Sequence, residues 1–166
     1  MKREKKVTFI LLGIYLILLT WIILFKMQFS ISQIGHIRSL NLIPFGASVI
    51  VNGKLDIDEI VNNAIVFIPV GVYMGMLFPD WSFVRKLCPA AGLSLVYEVL
   101  QFVFALGASD ITDLIMNSSG GAIGLFVFAV LSKILGKRTN RVLNILAGIC
   151  TVLVIAFLAF IIYLNV

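Results

Sequence analysis

The chain has 166 residues, of which 61% are hydrophobic and 13% charged, with a mean hydropathy of +1.10. A soluble domain carries about 45–50% apolar and about 25% charged residues, and a disordered chain is more polar still, so both classes are excluded. The formal charge of +5 reads as the Lys/Arg excess of cytoplasmic membrane-protein loops rather than as a nucleic-acid surface, and the length allows roughly four to six spans of about 20 residues in a single all-α membrane domain, 1–166.

Five apolar runs follow in chain order. Residues 7–25 carry no charge and are preceded by Lys2, Arg3, Lys5 and Lys6. The run is too long for a signal-peptide core and no A-x-A-like cleavage site follows, so it reads as an uncleaved first span. The second run, 60–78, contains Pro69, which leaves a backbone carbonyl unpaired and kinks a helix unless neighbours re-satisfy the group. The third, 87–106, encloses Glu98 about midway, with Gln101 beyond it. The fourth, 111–135, is opened by Asp110 and Asp113, and the fifth, 142–164, is nearly featureless and reads as lipid-facing. With the N-terminus inside, ten Lys/Arg fall on cytoplasmic segments and three outside, which predicts a multi-pass membrane protein oriented N-in, C-out.

Segment 26–59 is then an outer loop, apolar enough over 31–37 and 40–50 to lie on the membrane or re-enter it. Asp56 with Glu59 three residues on resembles a capping box, and His36 reads as an ordinary loop residue. With one histidine, and with Cys88 and Cys150 isolated in or beside apolar runs as small membrane-buried residues, neither a zinc site nor a disulfide is expected, and no cofactor is implied.

The polar exceptions carry the information. A carboxylate at the centre of a span costs roughly 2.5–3.5 kcal/mol on insertion scales, so Glu98 needs a partner or a wet cavity. Ala91, Ser94, Glu98, Gln101 and Ala105 share one helical face, as do Asp110, Asp113, Asn117, Gly120 and Gly124. Asn63, Gly71 and Gly75 form a third stripe. Gly71-x-x-x-Gly75 and Gly120-x-x-x-Gly124 permit close helix approach, so the three stripes are expected to face one another in the outer half of the membrane. Arg85 and Lys86 lie too far along the helix to reach Glu98, which leaves Arg38 as its expected cation, matched bidentately. Asp110 and Asp113 also suit a helix N-terminus with Ser109 as N-cap, and Asn63 and Asn117 suit interhelical hydrogen bonding.

Four strings then resemble the VanZ-like membrane proteins. Arg38, Asn41, Leu42, Pro44 and Phe45 match R-x-x-N-L-x-P-F; Asn62, Asn63, Phe67, Pro69 and Gly71 match the second-span D/N-N-x-x-x-F-x-P-x-G; and Ser94, Glu98 and Gln101 match S-x-x-x-E-x-x-Q. Asp110, Ile111, Thr112, Asp113, Asn117, Gly120, Gly121 and Gly124 match D-I-T-D-x-x-x-N-x-x-G-G-x-x-G, and the likeness runs from about Leu12 to Leu125. Many members carry an Arg shortly before the D-x-x-D element, where this chain has Ala105-Leu106-Gly107-Ala108-Ser109, and the stretch containing Asp56 and Asp58 is longer than the pattern leads one to expect. The resemblance implies resistance to teicoplanin, a lipidated glycopeptide, in a Gram-positive cell envelope, and implies no established reaction.

The reading that joins residues and resemblance is a non-catalytic protein with an outward polar pocket formed by Arg38, Asn41, Asn63, Glu98, Gln101, Asp110, Asp113 and Asn117. Membrane lipid, teicoplanin or a lipid-linked wall precursor are its expected partners, and nucleic acid is not. The alternatives are a membrane enzyme, with Glu98 as general base and Asp110 and Asp113 holding a divalent cation, or a small transporter.

Overall fold

The computed structural model describes residues 2–25, 37–46, 50–51, 54–55 and 57–165. Five α-helices dominate: α1 (Lys2–Phe25), α2 (Ile57–Leu77), α3 (Phe83–Phe104), α4 (Ile111–Leu135) and α5 (Thr139–Asn165). Four helical stretches are long and apolar enough to cross a membrane; the last runs over Ile111–Ile161 and takes in α4, a 3-10 turn at Gly136–Arg138 and most of α5. His36, Asp56 and hence the Asp56 capping box lie outside the described residues, as does the whole of segment 26–36.

The all-α expectation needs correcting at one end of the bundle. Ile37–Asn41 (β1) pairs in parallel with Leu106–Asp110 (β4), in register from Ile37 opposite Leu106 to Asn41 opposite Asp110. A second, antiparallel pair joins Ile50–Val51 (β2) to Lys54–Leu55 (β3). α3 stops at Phe104 because Ala105 turns into the left-handed region at φ 54°, its N–H reaching back to the carbonyls of Gln101 and Phe102. The chain then runs extended for five residues. Non-helical backbone survives at membrane depth only where protein satisfies it. Here β1 supplies the partners of β4, whose Gly107, Ser109 and Asp110 are buried.

Side-chain links fix the helix directions. Gln101 near the end of α3 donates to Ile23 O near the end of α1, while Asn63 and Asp113 join the starts of α2 and α4. At the opposite end Thr8 of α1 meets Asn144 of α5, and Asn140 donates to Met76 O of α2. Thus α1, α3 and α5 run one way, and α2 and α4 the other.

The core has two apolar clusters. Leu11 and Leu12 pack with Tyr73, Met74, Met76, Leu77 and Leu125, and Leu19 and Leu24 with Phe67, Val70, Ala90 and Tyr97. Both use one face of α1 against α2. The Tyr15 hydroxyl donates to Val66 O, the carbonyl next to that of Ile65, which Pro69 leaves without its helical N–H, so α1 is bonded to α2 one residue from the break in the ladder. Between α2 and α3, Phe78 stacks on Trp81, the Arg85 guanidinium covers the Trp81 ring, and Ser82 caps α3.

The tightest contact is between α2 and α4. A Cβ on Gly120 would lie 2.0 Å from Ala64 O, and one on Gly124 2.0 Å from Ile68 O. A Cβ on Gly71 would lie at the same distance from Gly121 O, so the two backbones pack directly on each other. α5 packs on α1 through its first half and leaves Val152, Leu153, Phe157 and Phe160 exposed; Cys88 and Cys150 also lie on exposed surface of spanning helices, with free thiols.

Candidate functional site

The eight singled-out side chains all belong to the end of the bundle where α2 and α4 begin and α3 ends. α3 brings Ser94, Glu98 and Gln101 to one buried stripe, and α4 brings Asp110, Asn117, Gly120 and Gly124 to another. Since α3 ends at Phe104, Glu98 lies six residues from the helix end, about 9 Å along the axis, rather than at mid-span.

Among the described residues, Glu98 does not take a cation as its partner. Its Oε2 accepts the Asp110 backbone N–H at 2.7 Å and lies 3.0 Å from Ser109 Oγ, which is also 3.1 Å from Glu98 O. The carboxylate is 6% exposed, so these bonds offset a desolvation cost that would otherwise be large. Arg38, the expected partner, goes elsewhere. Its Nε donates to Phe102 O at 3.2 Å and its Nη2 to Val103 O at 3.0 Å, with the guanidinium 5.7 Å from the Phe102 ring centroid. The last carbonyls of a helix have no intrahelical donor and carry the negative end of its dipole, so an Arg is well placed there. The expected Arg38–Glu98 pair is thereby replaced by two separate supports, one for each end of the α3–β4 reversal.

Ser109 is not the N-cap of α4. Asp110 fills that role, its Oδ1 accepting Thr112 N–H at 2.8 Å, while Ser109 remains in β4 and turns its hydroxyl to Glu98. Asn41 Nδ2 donates to Asp110 Oδ1 and Oδ2 at 3.2 and 3.1 Å, and Asn41 Oδ1 accepts Ile43 N–H, closing an Asx-type turn. Two turn residues on, Phe45 N–H donates to Thr112 Oγ1 at 2.9 Å. R-x-x-N-L-x-P-F and D-I-T-D, about 70 residues apart, therefore form one unit: the segment from β1 to Phe45 is pinned across the start of α4. Thr112, fully buried, was given no role from sequence although it stands inside the motif.

The remaining residues pair separately between the helices. Asn63 Nδ2 donates to Asp113 Oδ1 at 2.6 Å, and Asn117 Nδ2 to Ser94 Oγ at 2.9 Å. Asp110 and Asp113 thus serve different partners. Gln101 Oε1 and Asn117 Oδ1 are buried without a hydrogen-bond partner.

A cavity of about 210 Å³ lies between α3 and the pinned segment. Leu40 and Leu42 form one wall, Leu95, Val99 and Phe102 the other, and Ile111 and Leu114 the side towards α4; Glu98, Ser109 and Asp110 reach its back. Of the eight residues, Glu98 and Asp110 border it, and the other six support its walls or lie apart from it.

The motif geometry agrees with what comparison with known proteins finds. The VanZ/LLP1 family matches residues 12–135. The chain belongs to that family. It is also 38% identical over 150 residues to Protein VanZ of Enterococcus faecium, covering 89% of each chain. No solved structure matches it. The family match spans α1 to the end of α4 and so contains every residue of the site, while α5 lies beyond it.

Proposed function

We propose that this VanZ/LLP1-family protein is a non-catalytic, five-span protein of the bacterial plasma membrane, oriented N-in and C-out, that lowers susceptibility to teicoplanin. The observation that carries the reading is the union of the two motifs: the Asn41–Asp110 and Phe45–Thr112 bonds fasten an apolar segment over a cavity backed by Glu98. A cavity held by motif residues is a place for a ligand, and in the N-in orientation it opens in the outer leaflet, where glycopeptides and wall precursors meet the membrane. Glu98 and Asp110 hold backbone N–H groups of the α3–α4 connection, which suits positioning better than acid–base work. With Asp113 turned to Asn63, the D-x-x-D carboxylates do not converge as a cation clamp would require.

Expression in a susceptible Gram-positive host tests this. Teicoplanin inhibitory concentration should rise and vancomycin change little; no teicoplanin shift at normal membrane abundance overturns the resistance reading. Reporter fusions at both termini test the orientation, and a cytoplasmic C-terminus would reverse the leaflet assigned to the cavity.

A further inference from the structure

We infer that the cavity between α3 and the β1 segment holds a single alkyl chain of an anionic phospholipid, whose head group rests on Arg38. The inference builds on the membrane placement proposed above and does not need the resistance phenotype.

Size comes first. About 210 Å³ is below the roughly 300–1,000 Å³ of pockets for drug-sized ligands, so a glycopeptide does not fit, whereas a segment of a narrow chain does; a sugar head group is excluded by the hydrocarbon lining, which offers its hydroxyls no partners. The walls agree. Leu40, Leu42, Leu95, Val99, Phe102 and Leu114 present only hydrocarbon, and the Glu98, Ser109 and Asp110 groups behind them bond one another. Leu95, Val99 and Phe102 follow a helical i, i+4, i+7 spacing, one position round from the buried Ser94–Glu98–Gln101 stripe. Leu95 and Val99 are 53% and 52% exposed, so the cavity opens on the flank of a membrane-spanning helix, where acyl chains are the surrounding solvent. An apolar recess there gains dispersion contacts when a chain fills it.

Charge sets the direction of entry. Arg38, Leu40 and Leu42 alternate along extended backbone, so the cation stands on the strand edge that lines the cavity, above Phe102 at its rim. Its two carbonyl bonds use Nε and Nη2, and a guanidinium has five donors, so N–H groups remain for a phosphate oxygen. The carboxylates at the back repel an anion. A lipid therefore lies tail inward, head at Arg38.

The test is native mass spectrometry of the full chain released from nanodiscs made of equal phosphatidylglycerol and phosphatidylcholine. Wild type should retain one phosphatidylglycerol in preference to phosphatidylcholine. Arg38→Gln should reduce that preference about tenfold, the equivalent of one charge-assisted hydrogen bond. Val99→Trp, which fills the cavity, should abolish retention, and Ile134→Trp, on an exposed site elsewhere, should not. If Val99→Trp does not accumulate, Leu42→Trp fills the cavity from the strand side. Equal retention of both lipids by wild type overturns the head-group assignment, and undiminished retention by the filled variants overturns the cavity. Absent retention beside an intact teicoplanin shift sinks this inference and leaves the resistance reading standing; retention without a shift does the reverse.

Discussion

Helix α4 is fixed at two places by opposite means. Over Gly120–Gly124 it meets α2 through missing side chains, backbone against backbone. About two to three turns earlier it is held by polar side chains: Asp113 to Asn63, Asp110 to Asn41, and Glu98 to the peptide of Asp110. The glycine seam is purely steric, so it accommodates no substitution and offers a ligand nothing. The polar knot is built from pairs, so it can be weakened by degrees, and it borders a cavity. Two stripes on one helix can thus have separate duties, the seam setting helix distance and the knot shaping the site.

The largest expected effect comes from the seam. Gly124→Val would drive a branched side chain into Ile68 O, with no flexible neighbour to yield, and is expected to cost about 3 kcal/mol, the upper end for overpacking. The measurement is thermal stability of the detergent-solubilised protein. Gly13→Ala is the paired control. A Cβ there meets nothing within 4 Å, so the helix-propensity gain of about 1 kcal/mol should appear as a small stabilisation. Equal behaviour of the two variants would break the distinction between seam and ordinary helix glycine.

The knot comes second. Glu98→Leu leaves the Asp110 N–H without its acceptor and the Ser109 hydroxyl with only the backbone carbonyl of residue 98, and should cost about 2–3 kcal/mol; Glu98→Gln keeps an acceptor oxygen and should cost about 1 kcal/mol. Teicoplanin susceptibility sharpens the comparison. If Glu98 positions the α3–α4 connection, resistance should track stability, and Gln should retain most of it. Resistance lost in a stable Glu98→Gln protein would make the carboxylate a ligand-contacting group instead. Asn41→Asp, which sets a carboxylate against both Asp110 oxygens, is expected to destabilise by about 1–2 kcal/mol, and Asn41→Ala by about 1 kcal/mol, measured in the same way. An Asn41→Asp protein as stable as wild type would refute the pairing.

These two regions were not equally legible in the sequence. The glycine seam was readable because helical spacing and residue size are both local properties, and α4 spans 111–135 as the apolar run predicts. The stripes on α3 and α4 were readable for the same reason. The knot's members were legible while its wiring was not. Glu98 called for a partner, and the charge argument pointed to Arg38, but a buried carboxylate is satisfied equally by N–H and hydroxyl donors. Those donors, Ser109 and Asp110, come within reach only because the chain reverses at Ala105. Residues 106–110 carry no strand signal of their own; their conformation is set by pairing with β1 some 70 residues earlier. The Arg38 carbonyl contacts and the Asp110 N-cap follow from that same pairing.

The reversal itself gives the smallest and most local prediction. Ala105 holds φ 54°, a conformation that costs a residue with a Cβ roughly 1–2 kcal/mol and glycine almost nothing. Part of that gain is offset by the greater freedom glycine has in the unfolded chain, so Ala105→Gly should stabilise by about 1 kcal/mol or slightly less. Its value lies in what it leaves untouched. The carbonyls that receive the Ala105 N–H, the Arg38 bonds to Phe102 and Val103, and every cavity side chain are unchanged. Stability should therefore rise while teicoplanin susceptibility stays at the wild-type level. Ala105→Val, whose branched Cβ cannot adopt this φ without strain, should shift stability the other way and loosen β4 from β1. If instead both variants behave as wild type, α3 does not end in a left-handed residue, and the geometry that delivers Asp110 N–H to Glu98 must be built differently.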